Sequence, residues 1–163
     1  MDNRTVKIMI DKYLRFGDRK LASAQIIRKE IDDLQQKIKY MDKSDMSENF
    51  DYIDAKDKLS SLAYKSTQFT HWASKYTNFK ENLVNYEDIL RNDNIDVGSV
   101  VVVETNGKEY TLLMVPEHLG NRLIGARDIM SDIGKQLLGK KTGEIAQVHK
   151  HKSIIAYKIK EVY

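Results

Sequence analysis

Ala24-Gln25-Ile26-Ile27-Arg28-Lys29-Glu30-Ile31-Asp32-Asp33-Leu34-Gln35-Gln36-Lys37-Ile38-Lys39-Tyr40-Met41 decides the fold of this 163-residue chain. Its apolar positions Ala24, Ile27, Ile31, Leu34, Ile38 and Met41 follow one another at spacings of 3, 4, 3, 4 and 3. That alternation is the seam of a coiled coil, because it keeps one narrow apolar stripe facing a partner helix. Lysines, acids and glutamines fill the other faces. The alternation resumes at Tyr52, Ala55, Leu59, Leu62, Ser66, Phe69, Ala73 and Tyr76. Between the two stretches lies Ser44-Asp45-Met46-Ser47-Glu48-Asn49, and neither Pro nor Gly occurs between Asp18 and Asp96. A single break followed by the same seam predicts an antiparallel helical hairpin with its tip near residues 44–49. Each arm would run roughly 25–35 residues, or ~40–50 Å at 1.5 Å per residue. Gly17-Asp18 reads as a break and N-cap, with a separate short helix before it.

From Asp96 the period changes. Val100-Val101-Val102-Val103 is a continuous β-branched run, read as a buried strand. Asn106-Gly107 is a two-residue hairpin signal, and Tyr110 to Val115 is the return strand, stopped by Pro116. Ser131 can cap a short helix through Leu138, with Gly139 ending it. Glu144–Val148 and Ile154–Val162 read as another strand pair. The expected fold class is therefore α+β in two domains. Residues 1–90 form the coiled-coil hairpin, residues 91–163 a small antiparallel-sheet domain, and Arg91–Val97 a polar linker.

Composition narrows the function classes. With 41% hydrophobic and 31% charged residues the chain reads as soluble and folded. No apolar run approaches the ~20 residues of a membrane span. There are no cysteines, which excludes disulfides and thiolate metal sites and fits a cytoplasmic setting. The net charge of +3 is evenly spread: residues 1–90 hold 16 Lys/Arg against 15 Asp/Glu, and residues 91–163 hold 11 against 9. This is not the dense basic stripe of an autonomous DNA binder.

Several motifs dissolve on inspection. Gly134-Lys135-Gln136-Leu137-Leu138-Gly139-Lys140-Lys141 nearly spells a phosphate loop, but Lys141 stands where the Mg²⁺-holding Ser/Thr belongs. His149-Lys150-His151-Lys152 sets two histidines among lysines without a carboxylate and reads as a hairpin loop. The aromatic stripe Phe69, Trp72, Tyr76, Phe79 reads as core thickening the base of the hairpin. At the tip, Asp45 can N-cap the second arm while Glu48 reaches back to the Asp45 amide, a capping box that explains the spacing without any chemistry.

The tip carries a second reading. Ser44-Asp45-Met46-Ser47-Glu48-Asn49-Phe50-Asp51-Tyr52, with Ala55-Lys56 beyond it, resembles the Gly-Asp-Leu-x-Glu-Asn-x-Glu-Tyr tip of the bacterial transcript cleavage factors GreA and GreB. Val97-Gly98-Ser99 with Val101 and Val103 is similar to the opening strand of their C-terminal domain. Ser131-Asp132-Ile133-Gly134-Lys135 through Leu137-Leu138-Gly139-Lys140-Lys141 to Gly143-Glu144 is similar to that domain's Ser-Pro-hydrophobic…Leu-Leu-Gly-Lys segment. Tyr157-Lys158-Ile159 matches its last strand. The resemblance covers about residues 40–163.

The resemblance implies an FKBP-like C-terminal domain and a partner, bacterial RNA polymerase. The hairpin would enter the polymerase's secondary channel as a monomer, and the C-terminal domain would grip the channel rim through Ser131, Asp132 and Ile133. Asp45 and Glu48 would help hold a second Mg²⁺ in the polymerase active site, where cleavage of backtracked RNA needs paired cations. Ser44 and Asn49 would support the tip, and the RNA 3′ end would lie near it; Lys37, Lys39 and Lys43 could meet RNA phosphates there, although ordinary solvated lysines are the simpler reading. The chain would then be no enzyme alone but a factor that stimulates the polymerase's own cleavage and so relieves arrest. Two positions depart from the family pattern: Ser44 stands for glycine and Asp132 for proline. Residues 1–20 do not follow it, and the basic balance is unusual for such factors. The alternatives are a related regulator that occupies the channel without promoting cleavage, and a plain coiled-coil adaptor.

Overall fold

The computed structural model describes residues 3–41, 50–84, 93–150 and 153–163. The chain divides into two compact units, residues 17–74 and residues 1–16 with 75–163. The expected boundary near residue 90 falls outside the described residues.

Two long helices, α1 (Asn3–Tyr40) and α2 (Phe50–Val84), supply the helical residues described in the first unit and part of the second. At 38 and 35 residues they match or exceed the upper length expected of the arms. Gly17-Asp18 does not break α1, contrary to expectation. A mid-helix glycine costs only about 1 kcal/mol, and the apolar spacing continues upstream through the buried Val6, Ile10 and Tyr13.

Within residues 17–74 the predicted seam is the buried one. Ala24, Ala55 and Leu62 are buried, and Ile27, Ile31, Leu34, Ile38, Leu59 and Phe69 are half-buried between exposed polar neighbours. Cross-helix contacts fix the antiparallel sense. Lys20 Nζ lies 4.1 Å from the Trp72 ring centroid, Arg28 donates to Thr70 Oγ1 at 3.1 Å, and Glu30 pairs with Lys58 at 2.7 Å. As the number rises on α1 it falls on α2.

The other unit is built on a five-stranded sheet with strand order β3-β2-β1-β5-β4. Its strands are β1 (Val100–Thr105), β2 (Lys108–Val115), β3 (Ala126–Asp128), β4 (Ile145–Lys150) and β5 (Ser153–Val162). Asn106 and Gly107 take φ of 50° and 71°, the left-handed pair that a tight hairpin between β1 and β2 demands. Val100–Val103 is buried on both faces, as a continuous β-branched run should be. One face joins Ile95, Leu112, Met114, Leu137, Ala146, Ile159 and Val162 in a single core. The sheet is not purely antiparallel as expected, because β3 pairs parallel to β2. Ala126-Arg127-Asp128 is too short and too polar to announce itself as a strand. Nor is the expected linker polar throughout: Ile95 is 1% exposed, and its backbone bonds to Lys140 and Gly139.

The short helix α3 (Asp132–Leu137) lies against β3, and Gly134 allows this approach. A Cβ there would collide with the Asp128 carbonyl and the Ile129 Cα, both backbone and unable to swing aside. In the same unit the first turns of α1 pack beside the sheet. Tyr13 is fully buried, its ring 6.1 Å from Tyr76 and 5.9 Å from Phe79, its hydroxyl donating to the Leu119 carbonyl at 3.3 Å. Tyr76 donates to the Leu14 carbonyl at 2.9 Å. Trp72, Tyr76 and Phe79 of the aromatic stripe are therefore core, as its spacing predicts, and Phe69 is half-buried.

Two predictions follow from this packing. Gly134→Ala should cost about 1–3 kcal/mol in urea unfolding, because α3 must lift from β3; unchanged stability would mean that α3 is free to shift. Burial raises the Tyr13 phenol above its ordinary 10.0. Below pH 10 both states keep the proton; above it only the unfolded chain releases it, so Tyr13 makes stability fall as pH rises. Tyr13→Phe should lose about 1 kcal/mol at pH 7 and show a shallower decline than wild type from pH 10 to 11. Parallel stability–pH curves would remove Tyr13 as the cause.

Candidate functional site

Two regions carry the expected site residues. The first is the segment joining the helices. Asp45 and Glu48, with Ser44, Asn49 and Lys43, lie outside the described residues. The helices define what flanks them. Helix α1 ends at Tyr40, with the Met41 amide donating to the Ile38 carbonyl at 3.3 Å, and α2 starts at Phe50. Lys37 and Lys39 are exposed in the last turn of α1, where positive charge meets the unpaired carbonyls of the helix end. Asp51 occupies the first turn of α2, where negative charge is favoured for the converse reason. The seam stays closed up to this end, since Ile38, Met41 and Tyr52 are half-buried and Ala55 is buried.

Two aromatic residues stand out beside the segment, and neither the heptad pattern nor the motif singles them out. Tyr40 is 82% exposed and Phe50 85% exposed. Both lie off the seam, so the helix pairing has no use for their apolar surface.

The second region is the loop at Ser131-Asp132-Ile133. Ser131 is the N-cap of α3: its Oγ accepts from the Gly134 amide at 3.2 Å and donates to the Asp128 carbonyl. The Asp128 carboxylate accepts from the His118 amide at 2.6 Å and the Met130 amide at 2.7 Å. One side chain thus ties the start of the loop to a distant turn. Asp132 is exposed at the first helical position of α3. Proline suits that position because its missing N–H has no partner there anyway. Aspartate suits it too, because its charge opposes the positive helix end. The helix therefore keeps its start with Asp132 in place of proline, while the exposed surface gains a charge. Ile133 is half-buried and packs on the domain core.

Ser131, Asp132 and Ile133 line one side of a cleft of about 330 Å³, shared with Arg122, Arg127 and Lys150. Those three cations come from a 3₁₀ turn, from β3 and from β4, so no local spacing could reveal them together. His149 is exposed on β4, and His151 lies outside the described residues. Among the described residues no three acids or histidines cluster as metal ligands do. No described helix is long and apolar enough to cross a membrane.

The chain matches known proteins along most of its length. A family described as "Transcription elongation factor, GreA/GreB, C-term" matches residues 90–163. Transcription elongation factor GreA of Amoebophilus asiaticus (strain 5a2) is 30% identical over 128 residues, 74% of each chain. The GreA of Syntrophus aciditrophicus (strain SB) is 30% identical over 121 residues, 73% of this chain and 71% of that one. Among solved structures, GreA factor homolog 1 of Thermus thermophilus aligns over 94% of each chain at 17% identity, with a TM-score of 0.39. On the strength of the two GreA relatives, each aligned across more than two thirds of both chains, this chain belongs to the GreA/GreB family of transcription elongation factors.

Proposed function

We propose that this protein binds bacterial RNA polymerase, enters its secondary channel with the end of the helical hairpin, and stimulates cleavage of backtracked RNA. A cytoplasmic setting goes with that partner. The observation that carries the reading is the pair Asp45 and Glu48, placed in sequence between the end of one seam-paired helix and the start of the other. A rod of two helices closed along its seam can deliver a short segment to a site that a globular surface cannot enter.

Asp45 and Glu48 are the residues that would hold Mg²⁺. Their donor set fits the ion, since carboxylate oxygens are the hard ligands it prefers, and two carboxylates leave most of its coordination to the partner and water. When bound, such an ion supplies positive charge to the attacking and leaving oxygens of an in-line displacement. The chain's own part is to bring two acids into the partner's active site and hold them there. Lys37 and Lys39 are exposed on the last turn of α1, and in this reading they would meet RNA phosphates. The loop at Ser131, Asp132 and Ile133 is read as the contact with the channel rim. Its firm anchoring through Asp128 and Gly134 suits a docking element.

The test is RNA cleavage in a backtracked complex of the cognate polymerase with Mg²⁺ present. Wild type should accelerate cleavage. Asp45→Asn/Glu48→Gln should still bind yet lose that acceleration by about tenfold to a hundredfold, the scale on which disturbing even the groups around metal ligands acts. If both proteins bind and neither accelerates cleavage, the reading fails, and a regulator that occupies the channel without promoting cleavage takes its place. Ser44 in place of glycine, beside the first acid, is the feature that would favour that outcome.

A further inference from the structure

The cleft beside α3 brings together cations that the fold itself does not use. Arg127 sits on the edge strand β3, and its Nε is buried without a hydrogen-bond acceptor among the described residues. A buried donor left unpaired costs free energy, so a group in this state calls for a reason. Burial disfavours the charge on Arg127, and Arg122, which lines the same cleft, acts in the same direction. Lys150 is a third cation on the wall. No ion pair joins these three to a carboxylate among the described residues. Asp128, one of the two acids lining the cleft, already accepts two backbone amides. Two neighbouring guanidiniums, one with a buried and unmet donor, form an arrangement that is costly in the free protein and relieved by an anion.

We propose that this cleft is a receptor for a carboxylate side chain on an acidic segment of a protein partner, with Arg127 as its anchor and Arg122 as its second guanidinium. Shape and charge favour a single carboxylate over a nucleic-acid backbone. The space of about 330 Å³ is small, at the low end for ligand sites. Its lining mixes the cations with Ile133, Val148 and Tyr157, apolar surface for the aliphatic stem of a glutamate. The exposed Asp132 at its edge would repel a row of phosphates but spare one buried carboxylate. The proposal extends the rim-docking role of residues 131–133 by naming the chemistry that docks. It rests on the polymerase reading only for the identity of the partner.

Titration of the full ¹⁵N-labelled chain, followed at the Arg127 Nε–Hε resonance, tests it. The probes are a hexaglutamate peptide, inorganic phosphate and hexauridylate. The peptide should shift that resonance saturably. Arg127→Gln and Arg122→Gln should each weaken the peptide by about five- to tenfold, the scale of a lost charge-assisted contact. Asp132→Asn should strengthen hexauridylate more than the peptide. Amide spectra of the variants report folding directly, and Arg122→Gln carries the test should Arg127→Gln unfold. The proposal is overturned if the peptide leaves the resonance unmoved, or if phosphate or hexauridylate binds while the peptide does not. A second arm measures polymerase binding, which Arg127→Gln should weaken. If wild type does not bind polymerase, the polymerase reading falls, and the peptide titration alone decides the cleft.

Discussion

The fold of residues 17–74 depends on the covering of one narrow apolar stripe. Away from the seam each helix is mostly polar, and a long helix with one uncovered stripe is not stable in water on propensity alone. Each arm is therefore an element only while the other lies against it. The polar contacts along the flanks, Lys58 with Glu30 and Arg28 with Thr70, are exposed and worth little. They set the register more than they hold the pair. The seam holds the two helices together, and their antiparallel sense sets the last turns of α1 at the same end as the first turns of α2.

A different economy rules residues 1–16 with 75–163. Here the sheet carries the core, and Val100–Val103 of β1 is buried on both faces. Tyr13, Tyr76 and Phe79 form an aromatic group whose hydroxyls reach backbone carbonyls, so large rings are buried without stranding their polar atoms. The loop before α3 is held as tightly, by a serine cap, a twice-bonded aspartate and a glycine with no room for a side chain. Against this background two buried polar atoms lack a partner among the described residues, Thr105 Oγ1 and Arg127 Nε, and of the two only Arg127 lines the cleft. Proteins keep such local conflicts where a partner resolves them.

Much of this was legible in the sequence, for reasons that differ by element. The seam could be read because a 3–4 spacing kept over two stretches has no competing explanation. The β1–β2 hairpin could be read because Asn106-Gly107 fits one turn geometry well. Ser131 as the cap of α3 followed from the same local logic. The continuity of α1 through Gly17 could not, because a glycine's modest cost is outweighed by packing that only the fold supplies. Strand β3 was hidden because parallel pairing with β2 selects backbone geometry and leaves no hydrophobic pattern in three residues. The burial of Ile95 was hidden by its polar neighbours. As for the candidate sites, Asp45 and Glu48 stood out only through a motif whose spacing equally suits a helix cap. The cations of the cleft could not be found at all, since Arg122, Arg127 and Lys150 meet only through the topology of the sheet.

The central claim is that residues 44–49 work inside the polymerase, beside the RNA 3′ end. A photo-crosslinking amino acid at position 46, between the two acids, tests it directly in a backtracked complex of the cognate polymerase. The account predicts crosslinks to the RNA 3′ end and to the polymerase segments that hold the catalytic metal, and predicts that a probe at the exposed position 145 gives neither. Crosslinks from position 46 confined to the outer surface of the polymerase, or absent in a complex that forms normally, would contradict it.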